Sequence, residues 1–120
     1  MTAIITVLVV EDEPLVRIDI SDQLQDLGFK VLEAANAAEA VDMLVANEDI
    51  QIMFTDVDMP GGMDGLRLAA AVRDRWPPIK IIVTSGQRRV PMIDIPSDSR
   101  FFHKPYQAGA VATAIREMMA

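Results

Sequence analysis

The sequence contains no cysteine, so neither a disulfide framework nor a thiolate metal site can form. It contains one histidine, His103; a lone imidazole supplies neither a His-based metal centre nor a histidine dyad. Basic residues are few: 11 Lys and Arg stand against 18 Asp and Glu, a formal net charge of -7. That balance opposes direct binding to nucleic acid or to an anionic membrane surface. It suits a divalent cation or a basic partner. Long apolar runs are also missing. The stretch from Ala3 to Val10 is too short to span a bilayer. It has no basic flank, and Glu11-Asp12-Glu13 follows it, so it makes a poor signal peptide. These absences lead us to expect a cytoplasmic protein without membrane insertion. No repeat, low-complexity tract or linker divides the chain. Its 120 residues, 51% hydrophobic, are expected to form one domain, 1–120, able to bury a core without staples.

What is present is an alternation of short apolar runs with helical patterns. Ile4 to Val10 is rich in β-branched residues and ends at charges, like a parallel strand buried on both faces. Pro14 suits the first turn of a helix. Val16, Ile20, Leu24 and Leu27 keep helical spacing until Gly28 stops the run. Lys30 to Ala34 reads as a second strand. Ala37 to Asn47 reads as a helix with Ala40, Val41, Leu44 and Val45 facing inward. Gln51 to Thr55 is a third strand ending at Asp56. A loop with Pro60, Gly61, Gly62 and Gly65 follows, then a helix from Leu66 to Arg75, stopped by Pro77-Pro78. Lys80 to Thr84 and Phe101 to His103 complete the strands, and Ala108 to Met119 is the last helix. The alternation predicts βαβ units and a parallel sheet covered on both faces. Between Gly86 and Arg100 a further helix is due. Pro91 and Pro96 oppose it, leaving a single turn around Met92 to Ile95.

Ligands of open parallel α/β sheets bind outside the carboxyl ends of the strands. Here those ends carry Glu11-Asp12, Asp56 with Asp58 two residues on, Thr84-Ser85, and Lys104-Pro105. Clustered carboxylates resist joint ionisation, and a hard cation such as Mg²⁺ relieves that with oxygen ligands. A carboxylate beside Mg²⁺ can attack phosphorus to give an aspartyl phosphate. An ammonium and a hydroxyl can then hold the charged oxygens. Pro105 suits a fixed peptide, cis or trans, that aims Lys104. Blander readings stand beside these. Glu11-Asp12-Glu13 also fits a solvated loop opening a helix. Thr84 fits an ordinary β-branched strand residue, and Phe101 a core aromatic whose role Phe102 could share. His103 reads as structural, the methionines as core or partner-facing filler, and Trp76 as packing at a helix end. Gly61-Gly62 lacks the Walker pattern and is no phosphate cradle.

The segments Val9-Val10-Glu11-Asp12-Glu13, Thr55-Asp56-Val57-Asp58-Met59-Pro60, Met63-Asp64-Gly65, Val83-Thr84-Ser85-Gly86 and Phe102-His103-Lys104-Pro105-Tyr106 together resemble the receiver domain of two-component response regulators. The resemblance covers the whole chain and is nearest in kind to stand-alone chemotaxis regulators. It implies a flavodoxin-like, doubly wound, five-stranded parallel sheet in the order 2-1-3-4-5, here with its fourth helix short or irregular. It implies Asp56 as phosphoacceptor and Thr84 and Lys104 as phosphoryl contacts. Phe101 takes the place of the switch aromatic. Mg²⁺ would be held by Glu11, Asp12, Asp56 and the Asp58 backbone carbonyl, with Asp12 the more direct ligand of the acidic pair. The phosphodonor would be a sensor histidine kinase or a histidine phosphotransfer protein. The receiver would be a monomer or weak dimer, and not an enzyme beyond assisting its own phosphorylation and dephosphorylation. The chain ends with its last helix, so a stand-alone regulator is expected; a receiver cut from a larger protein would look the same.

Three departures from the family pattern stand out. The stretch from Met59 to Gly65 is one residue longer than usual. Asp58 adds a side-chain carboxylate at the pocket rim, expected to strengthen metal binding or alter the phosphate lifetime. Pro91 and Pro96 disturb a helix that belongs to the family's output face. Two other readings compete. Asp56-Val57-Asp58 superficially matches the Asp-x-Asp signature of haloacid-dehalogenase-like phosphatases, but that motif follows a first strand, and the later acidic pair is missing after Lys104. A phosphorylation-independent interaction module is the other.

Overall fold

Thr6–Val10 (β1) is a run of β-branched and apolar residues with every position buried, the signature of a strand inside a parallel sheet. A computed structural model of the chain describes residues 4–59, 64–86 and 98–120. Its elements follow in the order β1, Pro14–Asp26 (α1), Lys30–Ala34 (β2), Ala37–Ala46 (α2), Ile52–Asp56 (β3), Gly65–Arg75 (α3), Lys80–Ser85 (β4), Arg100–His103 (β5) and Ala108–Met119 (α4). The five strands form one parallel sheet in the order β2-β1-β3-β4-β5, as expected. Element ends differ from the sequence reading by one residue at most, β1 apart, which starts at Thr6 rather than Ile4. The turn expected around Met92 to Ile95, with Pro91 and Pro96, lies outside the described residues, as does the Pro60 to Met63 part of the longer loop.

Alternate residues of each strand point to opposite sides. Leu8, Val10, Met53, Ile81 and Val83 pack with α2 and α3 on one face. Val7, Val9, Ile52, Phe54 and Ile82 pack with α1 and α4 on the other. The sheet is therefore wound on both sides. Local chemistry sets the helix ends. Pro14 occupies the first turn of α1. Asn36 and Asp64 cap α2 and α3, each side chain accepting from the backbone N–H three residues on. Gly28, at φ +101°, takes the left-handed turn that ends α1.

One inward assignment fails. Val45 is 65% exposed, whereas Ala40 and Leu44 are buried and Val41 is half-buried. A step of about 100° per residue carries Val45 off the stripe that Ala37, Ala40 and Leu44 define. In α1 the stripe buries Ile20 and Leu24, while Val16 and Leu27 at its ends stay partly exposed. Trp76 caps α3 and packs on the α2/α3 core with Arg75 over its ring. Met118 and Met119 pack against the α1/α4 core.

Candidate functional site at the carboxyl edge of the sheet

The strand pleat gathers the site. Val7 and Val9, Ile52 and Phe54, and Ile82 all face α1 and α4, so the same period of two turns Glu11, Asp56 and Thr84 toward that side. Asp56 and Thr84 are register partners across β3 and β4. Two backbone bonds carry the ladder past the strand ends: Glu11 N–H donates to the Ala34 carbonyl at 3.1 Å, and Lys104 N–H to the Ser85 carbonyl at 3.0 Å. Phe102 points to the α1/α4 core and Phe101 to the α2/α3 core, so Lys104, two beyond Phe102, completes the set. The Lys104–Pro105 peptide is cis.

These residues meet. Lys104 Nζ donates to Glu11 Oε1 at 2.7 Å and lies 3.2 Å from Asp56 Oδ2. Glu11 Oε2 accepts from the Glu13 N–H at 3.2 Å. Asp56 Oδ1 accepts from the Asp58 N–H at 3.3 Å, so both oxygens of Asp56 are oriented by named donors. Glu11 and Asp56 are buried, and Asp12 is half-buried. Carboxylate oxygens of Glu11, Asp12 and Asp56 all come within 4.8 Å of one another. A cavity of about 420 Å³ opens among Glu11, Asp12, Asp56, Asp58, Gly86 and Lys104.

The electrostatics follow from this crowding. Burial, helped by a hydrogen bond and repulsion from Glu11, raises the Asp12 carboxyl above its usual range. Burial works against the Lys104 charge, yet its bond to Glu11 and the nearby Asp56 charge outweigh that and raise its ammonium pKa. Asp12 therefore holds a proton more readily than a free aspartate, while Lys104 stays charged. Three hard oxygen donors, crowded together and only partly neutralised by one ammonium, suit a hard divalent cation such as Mg²⁺.

Gly65 fixes the floor of this site. A Cβ there would lie 1.9 Å from the Asp56 carbonyl oxygen, so only glycine lets the first turn of α3 sit against the backbone of Asp56 and Val57. Its N–H donates to the Val57 carbonyl at 3.1 Å. Four placements add to the sequence reading. Thr84 is buried beside Asp56 but does not line the cavity. Its carbonyl accepts from the Val57 N–H at 2.8 Å. Phe101 is half-buried in the α2/α3 core, edge-on to His103 at 4.8 Å between ring centres. The Ser85 hydroxyl donates to Asp58 Oδ2 at 2.8 Å, a bond that sequence spacing gave no signal of. Arg17, also unmarked in the sequence, donates to the Glu11 carbonyl at 2.9 Å and pairs with Glu33 at 3.3 Å, tying the acidic loop to α1 and β2.

Comparison with known proteins agrees with this geometry. The family model for the response regulator receiver domain matches residues 7–116. The chain is 36% identical over 118 residues to the sensor kinase CckA of Brucella abortus, covering 95% of this chain and 12% of that protein. It is 40% identical over 84 residues to a chemotaxis protein CheY homolog of Campylobacter jejuni, covering 66% of this chain and 64% of that one. The chain thus matches a small part of the first relative and under two thirds of the second. A response regulator receiver protein from Sinorhizobium medicae superposes with a TM-score of 0.88 at 26% identity, covering 97% of this chain and 94% of that one. The chain belongs to the response regulator receiver family of two-component signalling systems, whose members are signalling switches.

Proposed function

We propose that residues 1–120 form one receiver domain in which Asp56 accepts a phosphoryl group from a phosphohistidine on a sensor histidine kinase or phosphotransfer protein. The observation that carries this reading is the Asp56 carboxylate, buried yet open to the cavity, with Lys104 on one oxygen and the Asp58 N–H on the other. An Asp56 oxygen attacks phosphorus, the P–N bond to the donor imidazole breaks, and an acyl phosphate results. Lys104 neutralises charge gathering on the phosphoryl oxygens, and the Thr84 hydroxyl contacts one of them after phosphorylation. Asp12, Asp56 and the Asp58 carbonyl would hold Mg²⁺, which supplies charge neutralisation at the transferring group. Glu11 is the weaker ligand, since Lys104 and the Glu13 N–H already engage its two oxygens. The phosphorylated state shifts the population of the β4 end and of the region around Phe101, remodelling a partner surface. Among the described residues no helix is long and apolar enough to cross a membrane. The proposed receiver is cytoplasmic and acts as a monomer or weak dimer. The chain assists its own phosphorylation and dephosphorylation without turning over as an enzyme. Asp56 stands after β3, third in chain order, which disfavours the phosphatase reading.

Incubation with a radiolabelled phosphohistidine phosphotransfer protein and Mg²⁺ tests this. Label should pass to the wild-type chain, not to Asp56→Asn, and hydroxylamine should release it. Label that persists on Asp56→Asn would refute the assignment.

A further inference from the structure

A side-chain bond runs from the Ser85 hydroxyl at the end of β4 to Asp58 Oδ2 in the loop after β3, at 2.8 Å. Ser85 is fully buried, with no exposed surface. Its hydroxyl is therefore shielded from bulk water, which cannot compete for this bond. A charged acceptor makes such a bond among the stronger ones. Asp58 is the residue whose N–H holds Asp56 Oδ1, and it lines the same cavity as Asp12 and Asp56.

We infer that Ser85 is a positioning residue for the cation site: by pinning the Asp58 carboxylate, it fixes the backbone of Asp58 against Asp56. The inference rests on the Mg²⁺ reading given above. A residue at the end of β4 thereby controls the metal affinity of groups on β1 and β3. Thr84, the neighbour of Ser85, is held in the same strand end through its carbonyl bond to the Val57 N–H.

The test is a MgCl₂ titration of the unphosphorylated full chain, read from backbone amide NMR shifts, with Asp12→Asn as the non-binding control. Ser85→Ala should weaken Mg²⁺ binding by about threefold to tenfold. A smaller loss should remain when Ser85→Ala is added to Asp58→Asn, which keeps an acceptor oxygen without its charge. It should vanish when added to Asp58→Ala, which has none. Independently of any change at Ser85, Asp58→Ala should bind more weakly than Asp58→Asn, because both lose the charge and only the former loses the acceptor. Wild-type affinity in Ser85→Ala, or an equal loss on the Asp58→Ala background, would overturn the positioning role and leave the Mg²⁺ reading standing. No Mg²⁺-dependent shift in the wild type would overturn both.

Discussion

The two ends of the sheet carry the same kinds of residue to different effect. At the amino end, Lys30 and Asp49 pair at 3.2 Å with side chains 57% and 55% exposed. Their neighbour Lys80 is exposed, and Arg100 pairs with Glu117 on the surface. Water screens these charges, and such pairs contribute little. At the carboxyl end, Lys104 meets Glu11 and Asp56, whose side chains are only 5% exposed. Glu11, Thr55, Asp56, Thr84 and Ser85, most of the buried polar residues described, stand there. Buried charge is tolerated only when paired and hydrogen-bonded. One lysine serves two carboxylates, with a third beside them, so the pairing is incomplete. A surface pair is finished, whereas this cluster has capacity left for a cation.

Gly65→Ala should separate the two ends most sharply. The added methyl meets backbone that has no room to move, and we expect a loss of about 3 kcal/mol in chemical denaturation, with Mg²⁺ binding disrupted. Lys104→Met leaves two buried carboxylates uncompensated. A loss of about 1–3 kcal/mol is expected, below the fully buried limit because Lys104 is 27% exposed. Added Mg²⁺ should recover part of it, and no recovery would argue that the carboxylates do not share a cation.

How far the sequence reveals this contrast depends on the kind of signal. The β-branched runs, Pro14, Gly28 and the charges ending each strand mark the fold, because burial on both faces leaves few alternatives to a parallel sheet. The spacing of two from Val7 and Val9 to Glu11, and from Ile52 and Phe54 to Asp56, carries the site. Val45 was misread because a residue at the edge of a helical stripe is judged by packing, which periodicity does not report. The Ser85–Asp58 bond and the grip of Arg17 on Glu11 join residues far apart in the chain, and no local pattern encodes them. The segment with Pro91 and Pro96 lies outside the described residues.

Tyr106 sharpens the comparison from beneath the site. Its ring packs edge-on to Phe54 at 5.4 Å, and burial pushes its hydroxyl up from 10.0 to about 12. The folded state thus favours the neutral phenol. The stability this contributes is complete below pH 10, the ordinary value, and is lost as pH rises through about 12. Tyr106 is the single tyrosine, so absorbance at 295 nm follows it alone; titration near the ordinary value would contradict the packing. Asp12 carries a raised pKa too. Its contribution is greatest below 3.8 and falls as pH rises past the folded value. Asp12→Asn should therefore raise the melting temperature slightly at neutral pH, with no Mg²⁺ present, while removing Mg²⁺ binding. Lys30→Gln should leave both quantities as in the wild type, which is the expectation for a screened surface pair.

The proposed role of Asp56 as a Mg²⁺-dependent phosphoacceptor is tested most directly by intact-mass spectrometry after incubation with acetyl phosphate, which needs no kinase. The wild-type chain should gain one phosphoryl group with Mg²⁺ and none with EDTA, and Asp56→Asn should gain none. An adduct independent of Mg²⁺, or one retained by Asp56→Asn, would contradict the account.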